Sequence, residues 1–451
     1  MKTKNIALIL TLIIAMLISA CQPLANPPSP TPTQQPTEEI VNPTPAESVV
    51  NDKIGVIKSD KSLITNPSVS ADDLQRLAEA ENIFMINLYK QIAADEENVI
   101  FSPYSLYQAL LMAYIGAEGE TARQMAEVLQ LPLKGDFNHL VMNKLNQLLT
   151  DPTTSDLKNK FVFTSANAVW GQYDYGFRQS YLDQLAEYYG SGLRAVDFAQ
   201  SEASRAMIND WVSEQTQQKI KELIPQGVLD AATRMVLTNA VYFKAGWMRQ
   251  FEDSETEMDS FHLLDGSEID VEMMNIHKRF SYQVTDNYTA IELPYEGGKF
   301  SMVVFMPNEG TLNQFEQALD LSLLSNLTGK FGKGKVILSF PKFKIESQLD
   351  LGQVLSDMGM VDAFDPALAD FSKMTDAKDL MITNVLQKAM VDVDEKGTEA
   401  AAATAVVVGV TSAPVEEEPQ VIKIDHPFLF FIRDVETNTT LFMGRMINPE
   451  S

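Results

Sequence analysis

Several segments in the later two thirds of the chain are rich in Val, Ile, Phe and Thr and are almost continuously apolar. β-Branched and aromatic residues favour strands, and runs without polar alternation are typical of sheets that are covered on both faces. Such runs lie at residues 161–170, 234–243, 290–293, 300–306, 336–340 and 390–393. Since helical patterns dominate before them, the sequence predicts an α+β fold, with N-terminal helices and large, mainly antiparallel sheets.

Helices are predicted from apolar spacing and from the residues that begin helices. A first helix is expected over residues 71–94, and further helices over 204–220 and 349–358. Ser102 suits the N-cap of another helix because Pro103 follows it at the first helical position. Thr121 and Gln124 have the spacing of a capping box, which predicts that a helix opens there.

Composition excludes several classes of function. The chain has 451 residues with 45% hydrophobic and 21% charged residues, so it is expected to fold. Its net charge of −26 repels phosphate backbones, and we expect neither nucleic acid nor heparin-like polyanions as partners. With Cys21 as the only cysteine and four histidines, no metal site, cofactor or catalytic residue is predicted.

The N-terminus is typical of an export signal. Lys2 and Lys4 precede an apolar run that ends at Ala20, which predicts a signal peptide over residues 1–20. The following Cys21 resembles the lipidated cysteine of a bacterial lipobox. The alternative is an ordinary secretory signal with a chance cysteine. Lipidation predicts a protein anchored in a membrane at the outer cell surface, facing the extracellular space.

Domain organisation follows from one change in composition. Residues 21–70 are rich in Pro, Thr and Ser, which predicts an extended tether rather than a packed element. Residues 71–451 show no comparable change before about residue 397 and no internal repeat. A single folded domain over residues 71–451 is therefore predicted.

The segment of residues 395–419 has the pattern of a strand that is not yet part of a sheet. With a period of two, one face carries only small and then β-branched side chains. That face consists of Thr398, Ala400, Ala402, Thr404, Val406, Val408 and Val410. The alternative is a flexible alanine-rich linker, which the small side chains also suit. An exposed stretch of Ala, Thr and Val is, however, prone to aggregation.

Four sequence blocks together resemble the serpin family of serine protease inhibitors, over about residues 71–449. The first block runs from Asn98 to Ser105 and continues through Gly116 to Thr121. The second is the stretch from Leu237 to Trp247, which contains Asn239 and the Phe-Lys pair. The others are the hinge sequence from Glu395 to Thr404 and the C-terminal block from Ile424 to Pro449. The resemblance implies the serpin fold with an exposed reactive-centre loop at about residues 395–419.

The resemblance also implies roles for particular residues. A region termed the breach would contain Trp247, Lys342 and Glu395, and Lys342 would pair with Glu395. A buried hydrogen-bonded cluster termed the shutter would contain Ser102, Ser105, Asn239 and Gln387, where Gln387 replaces the histidine that the family usually has. The hinge of the loop would comprise Glu395, Gly397, Thr398, Glu399, Ala400, Ala401, Ala402, Ala403 and Thr404.

The family's usual spacing from the hinge glutamate places the reactive bond at Thr411–Ser412, with Val410–Thr411 as the alternative. Small uncharged residues there suit elastase-like or subtilisin-like proteases. The implied function is a monomeric suicide-substrate inhibitor, not an enzyme. A non-inhibitory serpin that serves as a binding or chaperone module, and a lipid-anchored adhesion or solute-binding protein, are the alternatives. Thr398 is expected to be exposed before cleavage, so that an arginine there would hardly change native stability.

Overall fold

The computed structural model describes residues 48–49, 54–93, 97–150, 161–329, 331–398 and 418–450. All of them belong to the unit Ala46–Ser451. The predicted signal peptide, Cys21, most of the tether, the hinge residues from Glu399 to Thr404 and the bond Thr411–Ser412 lie outside the described residues.

Helices and strands alternate through the described residues. The helices are α1 Ala71–Ile92, α2 Pro103–Tyr114, α3 Gly119–Val128, α4 Phe137–Thr150, α5 Gln179–Tyr189, α6 Ser201–Gln215, α7 Leu312–Ala318, α8 Leu321–Gly329 and α9 Gly352–Asp357. The strands are β1 Ser48–Val49, β2 Gly55–Ile57, β3 Val99–Phe101, β4 Phe161–Gln172, β5 Phe177–Arg178, β6 Leu193–Val196, β7 Met235–Gly246, β8 Glu257–His262, β9 Glu268–Val284, β10 Tyr288–Pro294, β11 Phe300–Pro307, β12 Gly332–Pro341, β13 Phe343–Asp350, β14 Ile382–Asp394, β15 Gly397–Thr398, β16 Gln420–Lys423, β17 Phe428–Asp434 and β18 Thr440–Met446.

A seven-stranded sheet, here called the main sheet, carries the site described below. Its order is β13-β14-β15-β7-β4-β6-β2. Most neighbours are antiparallel, as in the long β4–β7 pair. The central strands β14 and β7, however, also pair directly and in parallel, with Gln387 opposite Asn239. Helix α2 packs beneath β4 and β7, and its residues from Pro103 to Ala113 are buried. The core therefore lies directly under the centre of this sheet.

A second sheet of nine strands completes the body. Its order is β16-β12-β9-β10-β11-β17-β18-β3, with β8 paired to the side of β9. Strands β11, β17 and β18 are almost wholly buried, which agrees with their largely apolar sequences. Within the described residues the helices and these two large sheets confirm the α+β prediction.

Local predictions differ from the structure at three helix boundaries. Helix α3 begins at Gly119, so the predicted capping box at Thr121 and Gln124 is wrong. Buried Thr121 instead accepts the backbone N–H of Asp370, at 2.9 Å. Helix α6 ends at Gln215 rather than 220, and α9 begins at Gly352 because the preceding residues belong to β13. Hydrogen bonds to distant residues accompany the starts of α3 and α9, where the N–H of Glu118 donates to Asp370 and that of Leu351 donates to Val385. Local sequence patterns do not contain that information.

The folded body also begins before residue 71, inside the segment that the sequence assigned to a tether. Strand β2 pairs with β6 at the edge of the main sheet, and Ile57 is buried there. Farther on, the carbonyl of Ile64 accepts a hydrogen bond from Asn143 Nδ2, at 3.0 Å. Residues from Gly55 onward therefore belong to the folded domain.

Candidate functional site at one end of the main sheet

The first described residues of the predicted loop form a strand inside the main sheet. Strand β15 lies between β14 and β7 and is antiparallel to both. Thr398 is opposite Val393 on one side and Ala245 on the other. Beyond this two-residue strand, β14 and β7 pair with each other directly. The chain therefore enters the sheet at one end of a seam between two parallel strands.

Gly397 is required by the close approach of β7. Its φ of +154° disfavours other residues, and an added Cβ would lie 2.2 Å from the carbonyl oxygen of Ala245. No side chain fits at that distance. Glycine thus allows the chain to pass close to β7 where it enters the sheet.

Thr398 is fully buried, which contradicts the expectation that it is exposed before cleavage. Its hydroxyl lies 2.6 Å from the hydroxyl of Tyr295. Burial raises the pKa of Tyr295, so the phenol stays protonated and can donate this bond. The Tyr295 ring stacks on Trp247 with centroids 4.6 Å apart. The expectation failed because the sequence pattern did not show that the seam is already open at its end.

Trp247 holds the bend that joins β14 to β15. Its indole Nε1 donates to the carbonyl of Asp394, at 2.9 Å. Its backbone N–H donates to the carbonyl of Lys396, at 2.8 Å. The Asp394 side chain in turn accepts from the backbone N–H of Gly397, at 3.0 Å. The bend is therefore restrained on both of its sides.

Glu395 and Lys342, predicted as a pair, lie close together in the structure. Lys342 Nζ is 3.4 Å from Glu395 Oε2, and Thr256 Oγ1 donates to Glu395 Oε1 at 2.8 Å. Burial alone would raise the pKa of Glu395, but its own backbone N–H, Thr256 and Lys342 together lower the pKa below its usual value. Because the Glu395 side chain is only 10% exposed, this pair is less screened by solvent than a surface ion pair.

The four residues predicted for the shutter also meet, in the centre of the sheet. Gln387 Nε2 donates to the carbonyl of Ser102 at 2.9 Å, and Gln387 Oε1 accepts the Ser102 backbone N–H at 3.0 Å. Gln387 Nε2 also donates to Asn239 Oδ1, and Asn239 Nδ2 donates to Ser105 Oγ. Glutamine supplies both a donor and an acceptor, so this cluster forms without a titratable side chain.

Sequence reasoning missed two members of this cluster, Ser165 and Asn167 on β4. Ser105 Oγ donates to Asn167 Oδ1 at 2.9 Å and lies within hydrogen-bonding distance of Ser165 Oγ. Asn239 Nδ2 also donates to Asn167. The two residues alternate along an otherwise largely apolar strand, so they share one face. That polar alternation is the signal that could have identified them.

Comparison with known proteins gives the family. The family model described as serpin (serine protease inhibitor) matches residues 79–449. This chain belongs to the serpin family. Serpins are generally inhibitors of proteases rather than enzymes. In the part of the chain that the structure describes, no group of three or more His, Cys, Asp or Glu residues is arranged to hold a metal ion.

Relatives of this serpin come from distant organisms. An uncharacterised serpin-like protein of Thermococcus kodakarensis is 41% identical, over 86% of this chain and 91% of its own length. Human Serpin B3 is 38% identical, over 83% of this chain and all of its own length. The native-state crystal structure of tengpin, a thermophilic serpin, gives a TM-score of 0.76 at 29% identity, over 87% of this chain and 97% of tengpin. The crystal structure of uncleaved ovalbumin gives a TM-score of 0.74 at 27% identity, over 83% of this chain and 100% of the ovalbumin chain.

Proposed function

We propose that this serpin is a suicide-substrate inhibitor of serine proteases with elastase-like or subtilisin-like specificity. The observation that supports this most is β15, which lies antiparallel between two strands that are otherwise paired in parallel. A strand that continues β15 along the seam would pair with both β14 and β7. The sheet thus offers a site for strand addition by the loop itself.

The register of β15 predicts where the inserted residues would lie. Continued from Thr398, it brings Thr404 opposite both Gln387 and Asn239. Thr404, Gln387 and Asn239 would lie on the same face of the sheet, because each is an even number of residues along its strand from the paired residues Thr398, Val393 and Ala245. The hydrogen bond from Gln387 to Asn239 must then open. The Thr404 hydroxyl can both donate and accept, so it can bond to both amides in the inserted state.

The chemical step belongs to the protease. Its serine oxygen attacks the carbonyl carbon of Thr411, the bond to Ser412 breaks, and Ser412 leaves with a new amino terminus. The acyl-enzyme then remains attached to Thr411 while the residues after Thr398 enter the seam. At about 3.3 Å per residue the protease moves by roughly 45 Å. Distortion of its oxyanion hole halts deacylation.

The side chains that must enter the sheet support inhibition. The positions on the inward face of the hinge are Thr398, Ala400, Ala402 and Thr404, all small. Thr398 shows how little room there is, since it is already fully buried. Bulky or charged residues in these positions would resist insertion. Their absence favours an inhibitor over a binding or chaperone module at the cell surface.

Incubation with elastase-like and subtilisin-like proteases tests this function. We expect a covalent complex that survives SDS, and a released peptide that begins at Ser412. Cleavage of the loop without a complex would instead indicate a non-inhibitory serpin. Absence of both, across a panel of proteases, would refute the proposal.

We also propose that the protein acts as a monomer at the outer cell surface, anchored through lipid on Cys21. The proposal rests on the apolar run that ends at Ala20 and on the single cysteine that follows it. Among the described residues, none of the helices has the length and apolar character needed to cross a membrane.

A further inference from the structure

His426 lies between strands β16 and β17, in the link that returns the chain from the reactive-centre loop to the second sheet. Both nitrogens of its imidazole ring face an oxygen atom. Nδ1 is 2.9 Å from Asp425 Oδ1, and Nε2 is 2.7 Å from the backbone carbonyl oxygen of Pro307, at the end of β11. The His426 side chain is only 15% exposed, so both contacts are largely shielded from water.

Only the doubly protonated ring satisfies both contacts. A neutral imidazole carries one N–H, so its other nitrogen would turn a lone pair towards an oxygen lone pair. The imidazolium donates from both nitrogens, to a carboxylate on one side and to a carbonyl on the other. Burial alone would raise the pKa of Asp425, but His426 and Lys423 together lower it below its usual value. Asp425 therefore stays a carboxylate and accepts from the ring.

The side chains around His426 favour its protonated form. Burial alone would lower the pKa of His426, but its two hydrogen bonds and the carboxylates of Asp425 and Glu309 together raise it above its usual value. Lys423 Nζ is 2.9 Å from Asp259 and 3.8 Å from Asp425, so Asp425 has the ring of His426 as its nearer partner. The charged or titratable side chains of this cluster are Asp259 and His262 of β8, Glu309 after β11, and Lys423, Asp425 and His426.

Strand β16 has few other attachments to the second sheet. Among the described strands it pairs with β12 alone, over the four residues Gln420–Lys423. Within the strand only Ile422 is buried. Beyond it, the backbone N–H of Ile424 donates to the carbonyl of Ser339, at 2.9 Å. A segment with so few buried contacts opens at a low cost in free energy, so the two hydrogen bonds of His426 are a large share of what holds it.

We propose that protonated His426 is a pH-dependent attachment that holds β16, and with it the return end of the reactive-centre loop, to the second sheet. Deprotonation leaves one of the two acceptors without a donor, and the link between β16 and β17 loosens. A consequence for inhibition rests on the proposed function. With its return end loose, the loop must order more residues when a protease binds at Thr411, so inhibition slows.

The direction of the pH dependence follows from the raised pKa of His426. The attachment is complete below about pH 6.5, the usual pKa of a free histidine, and is lost as the pH rises through the higher pKa of the folded protein. His139 acts in the opposite direction, because its lowered pKa destabilises the protein as the pH falls. Global unfolding mixes the two effects, so a local measurement at β16 is required.

Hydrogen exchange of residues 420–426 from about pH 5.5 to about pH 9, corrected for the intrinsic pH dependence of exchange, measures the attachment directly. We expect protection of the wild type to fall about tenfold as the pH rises. His426→Arg keeps a cation at every pH and should stay protected. His426→Gln has no charge and should show low protection throughout. His277→Gln, which removes an exposed histidine from the neighbouring part of β9, is the control and should behave as the wild type.

Three results would overturn the attachment. The first is constant protection of the wild type across this pH range, and the second is a pH dependence that persists in His426→Gln. The third concerns the folded wild type alone: an NMR titration that gives His426 a pKa at or below that of a free histidine. None of these measurements needs a protease, so they do not depend on the proposed function.

The consequence for inhibition is tested separately. The rate of inhibition of an elastase-like protease is compared between the wild type and His426→Arg at each pH, which cancels the pH dependence of the protease itself. We expect the wild type to become several-fold slower than His426→Arg at high pH. Equal rates at every pH would refute the link to inhibition. No inhibition by either protein, with the exchange result intact, would refute the proposed function and leave the attachment standing.

Discussion

Thr398→Arg tests whether the loop works by entering the main sheet. In the structure Thr398 is fully buried between Val393 of β14 and Ala245 of β7, and its hydroxyl is 2.6 Å from that of Tyr295. An arginine has no carboxylate to pair with at this position among the described contacts of Thr398. The substitution must therefore either bury an unpaired charge or force β15 out of the seam.

The cheaper of these two outcomes determines the effect on native stability. Burial of the unpaired guanidinium would cost several kcal/mol. Withdrawal of β15 would leave the buried Tyr295 hydroxyl without its partner, which costs about 1–3 kcal/mol. We therefore expect a modest loss of native stability, rather than none as the sequence suggested. The substitution also raises the activation barrier for insertion of the loop. Each increase of about 1.4 kcal/mol in that barrier slows insertion tenfold.

The consequence for inhibition follows from competition between insertion and deacylation. A barrier raised by about 3 kcal/mol slows insertion roughly a hundredfold, so most acyl-enzymes hydrolyse and the variant becomes a substrate. The assay measures stoichiometry of inhibition, the SDS-resistant complex and the free energy of unfolding. Thr398→Ser is the matched control, because it keeps the hydroxyl and the small size. Unchanged stoichiometry in Thr398→Arg would refute insertion as the mechanism.

Three further predictions concern specificity, location and acid stability. Thr411→Arg should shift inhibition from elastase-like to trypsin-like proteases; a released peptide that does not begin at Ser412 would show that the assigned bond is wrong. Cys21→Ser should release the protein from membranes, and equal fractionation of mutant and wild type would contradict lipidation. Burial lowers the pKa of His139 to about 3, so the unfolded state binds the proton first and stability falls as the pH drops below about 6.5. In denaturant unfolding, the free energy of unfolding should be about 2 kcal/mol lower at pH 5 than near neutral pH. His139→Gln should show a flatter pH dependence, and an unchanged pH dependence in this variant would show that His139 is not the cause.

Some strands that are buried on both faces were predictable from their sequence, whereas the buried β17 and β18 were not among the predicted runs. The run at residues 300–306 has no polar alternation, and it became β11, in which every residue is buried. Ser102 and Pro103 likewise specify the start of α2 locally, and the structure begins α2 at Pro103 with Ser102 as its N-cap. Boundaries that depend on tertiary contacts were not predictable. Thr121 has the sequence of a cap but contacts Asp370 across the fold.

The candidate site was predictable only in part, for a similar reason. Family resemblance brought Trp247, Lys342 and Glu395 into one region, and the structure places them there. The residues that surround Thr398 could not be inferred in this way. Tyr295 belongs to neither of the predicted clusters, and its contact with Thr398 depends on the turn that follows β10.

Under the proposed mechanism, the parallel seam explains why insertion releases free energy. Strands β14 and β7 now share one parallel ladder, from Ile382 opposite Met235 to Met390 opposite Tyr242. An inserted strand replaces that ladder with two antiparallel ones, and antiparallel pairing is slightly more stable per residue. It also buries the β-branched side chains of Val406 and Val408 in the sheet. Opposing this gain are the loss of the Gln387–Asn239 contact and the ordering of the loop. Strand β15 lowers the barrier to that exchange, because its two residues already hold the seam open at the end where insertion must start.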